Sequence, residues 1–92
     1  MTPSQPVRKH HPLERRALGR TVRETRARRA WSLMTLADHA GTHYNYIGAL
    51  ERGLVNPTFE SLLALCTALD VTLGELFALY DVRLVEIAAR EA

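Results

Sequence analysis

Apolar side chains recur along this chain at spacings of three and four, in blocks separated by polar or glycine-bearing breaks, and no stretch alternates with period two. That spacing puts them on one side of a helix, so each block predicts an α-helix. Between Leu13 and Ala30 the inward stripe is thin, formed by Leu18, Val22 and Thr25, and arginine fills much of the rest. Trp31-Ser32 is a start signal: the serine hydroxyl suits an N-cap, and the preceding tryptophan suits a hydrophobic staple. A helix over Leu33–Ala40 follows. Gly41 stands where a helix end favours positive φ, and His43 opens a third helix that runs to about Arg52 before Gly53 stops it. Leu36, Ala37, Ile47 and Leu50 are its inward positions and those of its predecessor.

Thr58 caps a fourth helix, Phe59–Leu69, in which Phe59, Leu62, Leu63, Leu65, Cys66 and Leu69 are expected to be largely buried. Thr72-Leu73-Gly74-Glu75 has the form of a capping box for a fifth helix carrying Leu76, Phe77 and Leu79. After Asp81, residues 82–90 are again helix-compatible. Thr2 to Pro12 contains three prolines and little to bury. The expected organisation is a flexible basic arm at 1–12, an all-α domain at 13–80 and a C-terminal helical extension at 81–92. Ninety-two residues suffice for one core of ordinary size.

Charge changes the picture of partners. The net charge is only +2, yet residues 1–30 hold nine Lys and Arg against two acids, +7, and residues 31–92 sum to −5. Such asymmetry suggests a basic region lying against polyphosphate while the acidic remainder faces elsewhere. A lone Cys66 makes no internal disulfide. His10 and His11 fall in the arm, and His39 and His43 flank the turn at Gly41, so no metal framework is formed. No paired carboxylates, nucleophile elbow or phosphate loop appears. Neither an enzyme nor a cofactor is expected. No apolar run approaches the roughly 20 residues that cross a bilayer, so a cytoplasmic protein with no membrane partner is expected.

Leu18-Gly19 with Val22-Arg23, Leu36-Ala37 with Ala40-Gly41, Tyr46-Ile47 with Leu50-Glu51-Arg52-Gly53, Asn56-Pro57-Thr58 and Leu69 through Phe77 stand in an ordered spacing. In these residues the chain resembles the Cro and phage-repressor type of helix-turn-helix protein, the xenobiotic-response-element (XRE) family. The resemblance covers about Leu18 to Phe77. It implies a five-helix lambda-repressor-like domain, here with an additional short C-terminal helix. It also implies that the third helix enters the major groove of double-stranded DNA, usually in a homodimer.

Docking of this kind presents the start of the third helix to base edges. Tyr44, Asn45, Gly48 and Ala49 are the expected base readers. The Asn45 carboxamide matches an adenine edge, its plainer role being a surface amide or local cap. Tyr44 suits sugar, phosphate or a thymine methyl; Gly48 and Ala49 allow close approach and apolar contact. Phosphate contact is expected from Arg20, Arg23, Arg28, Arg29, Ser32, His43 and Tyr46. The resemblance assigns Arg26 and Glu51 to a structural ion pair.

Departures from the family pattern cluster at DNA-touching positions. Leu33 stands where a phosphate-binding glutamine is common, Leu54 and Val55 where the loop is often basic, and Ala49 where a long polar reader is common. The arginine-rich first helix is the expected compensation. The expected function is a sequence-specific transcriptional regulator acting by operator occupancy, with a recognition helix at about 43–52. The alternative is a protein-interaction adaptor that retains the fold and docks a protein partner on Leu33, Leu54 and Val55.

Overall fold

A computed structural model describes residues 11–91. The described part is all-α, with five helices: α1 (Pro12–Arg28), α2 (Leu33–Ala40), α3 (Tyr44–Glu51), α4 (Phe59–Leu69) and α5 (Leu73–Glu91). Most of the expected arm, residues 1–10, lies outside the described residues; His11 and Pro12 instead open α1. Proline suits that position because its missing N–H would have no helical partner there.

Burial follows the apolar spacing. Val22, Leu36, Ala37, Ile47, Leu50, Leu65 and Leu69 form one core, against which Trp31, Leu33 and Val55 pack. Leu62, Cys66 and Leu76 form a second cluster, with Leu18 and Leu73 packed on it. Each fully buried leucine contributes about 2 kcal/mol, against about 1 kcal/mol for a capping side chain. The core therefore decides that the helices form, and the caps decide where they end. Thr21 and Thr25 are also buried in α1, their hydroxyls donating to the carbonyls of Ala17 and Thr21 at 2.8 and 2.7 Å. A polar residue can thus occupy a core position without leaving a group unpaired.

Three expectations differ from the structure. Phe59 and Leu63 are 62% and 42% exposed rather than buried. An eleven-residue helix meets the core along one stripe, and Leu62, Leu65, Cys66 and Leu69 fill it at spacings of three, four and seven. α1 stops at Arg28, two residues early, with Ala30 left-handed at φ 56°. The extra C-terminal helix is not separate: α5 runs unbroken through Asp81. Aspartate inside a helix costs only tenths of a kcal/mol. Past it, Ile87 is buried, and Arg83 donates to Glu24 of α1 at 2.6 Å. Arg16 pairs with Glu91 close to the end of α5.

Gly19 marks the tightest contact between helices. A Cβ there would lie 2.4 Å from the carbonyl oxygen of Leu50 and 2.5 Å from that of Glu51. The missing side chain lets α1 seat directly on the end of α3.

Candidate nucleic-acid interface

Local chemistry fixes both ends of the turn between α2 and α3. At the start of α2, the Ser32 hydroxyl accepts the Thr35 N–H at 3.1 Å. At its end, Gly41 adopts φ 70°, and the Thr42 N–H returns to the Ala37 carbonyl at 2.9 Å. A Cβ at Gly41 would touch nothing within 4 Å, so the left-handed backbone, not space, calls for glycine. His43 then caps α3, its Nδ1 accepting the Asn45 N–H at 3.1 Å. With Leu36, Ala37, Ile47 and Leu50 buried beneath, two short helices are held in one arrangement.

Of the expected readers, Tyr44 and Asn45 are exposed side by side at the start of α3, with Tyr44 stacked on His43 at a ring separation of 4.7 Å. Ala49 is half-buried. Gly48 is buried, contrary to its expected place on the open surface: a Cβ there would come within 3.5 Å of Arg52 Nη1 and 3.7 Å of Leu33 Cδ1. Leu33, substituted where a glutamine was anticipated, thus covers Gly48 as well as packing on the core.

The anticipated phosphate contacts are not brought together. Ser32, His43 and Tyr46 border the α2–α3 unit, and Arg28 is exposed at the last turn of α1. Arg20 and Arg23 instead line a groove between α1 and α5, with Glu24, Glu51, Arg83 and Glu86. That groove lies at the Glu51 end of α3, seven helical steps from Tyr44, roughly 10 Å along the axis. Arg29 is engaged inside the molecule: its Nε donates to the Leu69 carbonyl at 3.0 Å, and its guanidinium sits 5.0 Å from the centroid of the Trp31 ring. The Trp31 ring also stacks on His39 at 4.4 Å.

Arg26 and Glu51 form a two-pronged pair. Arg26 Nε and Nη2 donate to the two carboxylate oxygens at 2.7 and 2.8 Å, and Nη1 donates to the Trp31 carbonyl at 2.8 Å. The hydrogen bonds to Glu51 raise the pKa of Arg26 above its ordinary value, against the opposing effect of burial. This unit joins the end of α1, the lead-in to α2 and the end of α3.

A further cation, absent from the expected phosphate contacts, lies on α3's flank. Arg52 is the only basic residue between positions 31 and 82, stands four residues after Gly48, and reaches back over it. Its spacing from a side-chain-free position was the available signal. The apolar trio behind the adaptor reading separates: Leu33 and Val55 pack on the core, and Leu54 alone is largely exposed, at 61%. Among the described residues no group of three His, Cys, Asp or Glu side chains is placed to hold a metal ion. No single described helix is long and apolar enough to cross a membrane.

Comparison with known proteins converges on the same unit. Residues 17–79 match the model of a family described as a helix-turn-helix domain. The HTH-type transcriptional regulator SlrR of Bacillus subtilis is 36% identical over 61 residues, covering 65% of this chain and 40% of that protein. The chain therefore spans about two fifths of that relative's length. Among solved structures, the clp gene regulator ClgR of Corynebacterium glutamicum superposes with a TM-score of 0.81 at 31% identity, over 87% of this chain and 85% of that one. The restriction-modification controller protein C.AhdI of Aeromonas hydrophila gives 0.65 at 38% identity, over 66% of this chain and 92% of that one. The chain belongs to the helix-turn-helix family of DNA-binding transcriptional regulators, in its lambda-repressor-like, XRE-type form.

Proposed function

We propose that this protein regulates transcription by occupying a specific site on double-stranded DNA, with α3 in the major groove. The observation that carries this reading is the exposed Tyr44–Asn45 pair at the capped start of α3, on a helix whose opposite side is locked in the core. B-DNA admits a helix in its major groove, and a carboxamide pairs with the N6 and N7 edge of adenine. Asn45 is the principal reader, Tyr44 and Ala49 supply sugar or thymine-methyl contact, and Ser32, Arg28, Tyr46 and Arg52 bear on phosphate. The protein acts as a homodimer on half-sites about one helical turn apart.

Selection of bound duplexes from a random DNA pool tests this. A two-fold symmetric consensus is expected. Asn45→Ala then loses about 1–3 kcal/mol at a single base position. Equal weakening on every sequence would remove Asn45 from the base-reading set, and recovery of no consensus would defeat the reading as a whole.

A further inference from the structure

Helix N-caps are ordinarily serine, threonine, aspartate or asparagine, whose side chains offer an oxygen to the first free N–H groups. α2 and α4 follow that rule with Ser32 and Thr58. α3 does not: its cap is an imidazole. The Asn45 backbone N–H can only donate, so His43 Nδ1, 3.1 Å away, must present its lone pair. The proton of the neutral ring is then on Nε2. Nε2 makes no hydrogen bond to another described residue, and His43 is exposed. The ring also stacks on Tyr44, with planes 26° apart. One side chain thus touches the backbone of one proposed reader and the ring of the other.

We infer that His43 is a positioning residue for the reading end of α3: its neutral ring caps the helix through Nδ1, buttresses Tyr44, and turns Nε2–H outward to donate to a DNA phosphate. The phosphate half rests on the DNA-binding reading above; the capping half does not. A serine cap would also leave an O–H free to donate, but from the γ position, closer to the helix than the ring's outward Nε2. The cap therefore ties the orientation of Asn45 and Tyr44 to the seating of α3 on the backbone.

The free protein tests the cap. Nitrogen-15 spectra of the His43 ring at pH 8 should show Nδ1 unprotonated and Nε2 protonated. Exchange of the Asn45 amide with solvent should accelerate about fivefold in His43→Ala and return toward the original rate in His43→Asn, which restores an acceptor. Binding to the selected duplex tests the donor. His43→Asn, whose amide nitrogen overlies ring Cδ2 and stops one bond short of Nε2 when its oxygen takes the cap, should keep the base preference and bind all sequences about five- to tenfold more weakly. Its salt dependence should be unchanged, because a neutral donor releases no counterion. A ring protonated on Nδ1, or an Asn45 amide indifferent to His43→Ala, overturns the cap. Undiminished binding by His43→Asn, or a salt slope lowered by about one, overturns the neutral donor. If the wild-type chain selects no duplex, the DNA reading and the phosphate role fall together, and the cap stands or falls on the spectra.

Discussion

Arg26 and Glu51 are only 16% and 7% exposed in their side chains, so their mutual hydrogen bonds replace water that neither can recover in the fold. Removing one partner strands the other charge, and this costs more than the pair itself contributes. Glu51→Leu or Arg26→Leu should each destabilise the domain by about 3 kcal/mol, and the double replacement by clearly less than the sum, as read from urea unfolding. Additive losses would show that the pair is not coupled. Cys66 is a second test at this scale. Burial pushes its thiol pKa up, so the folded chain holds the proton more tightly than the unfolded chain. The stability linked to this proton is present below the ordinary thiol range, near pH 8.5, and is lost as pH rises through and above it. Wild type should lose stability more steeply than Cys66→Ala between about pH 8 and 10. Alkylation at neutral pH should proceed only as fast as the domain opens.

Helix boundaries show where local chemistry was readable. α2 and α4 begin and end where Ser32, Gly41, Thr58 and Asp70-Val71 place the signals, because cap and core pattern agree there. The Thr72–Glu75 box closes as its spacing requires, with Thr72 N–H donating to Glu75 Oε1 at 2.8 Å and Glu75 N–H to Thr72 Oγ1 at 3.0 Å. Legibility failed where one stripe had to be chosen from an excess of apolar residues, as at Phe59 and Leu63, or where an arginine had several partners. Nothing local tells Arg29 to seek the Leu69 carbonyl forty residues away. The exit from α1 was hidden for another reason: Ala30 carries the left-handed turn that glycine favours. The backbone is strained there by its own Cβ, so Ala30→Gly should stabilise the domain by about 1 kcal/mol, raising the thermal midpoint by several degrees. A lowered midpoint would show that the φ of 56° carries no net strain.

Across the whole molecule, the two oppositely charged parts of the chain meet instead of facing different ways. Arg16 meets Glu91, Arg26 meets Glu51, and Arg29 approaches Asp70. Arg83 of the acidic part returns to Glu24 of the basic part. Two of the six arginines of α1, Arg16 and Arg26, thereby fasten it to α5 and α3, leaving fewer cations for DNA than composition implied. The two pairs that tie α5 to α1, Arg16–Glu91 and Arg83–Glu24, are more exposed and contribute little each, so α5 depends chiefly on Leu76 and Ile87 for its attachment. One hundred degrees per residue puts those two on one face and Val82 and Val85 on the far side, exposed at 51% and 70%, with Phe77 about a quarter turn from the buried pair. An apolar face turned away from its own core is a natural seat for a second copy, and the proposed half-site spacing requires one. Val85→Glu lies at the most exposed position, so it should leave the helical content and unfolding midpoint of a single chain intact. In sedimentation it should shift the dimer toward monomer, and on the selected duplex it should weaken symmetric sites far more than isolated half-sites. A dimer of unchanged strength in Val85→Glu would move the interface off α5, with exposed Phe59 and Leu63 of α4 the next face to test.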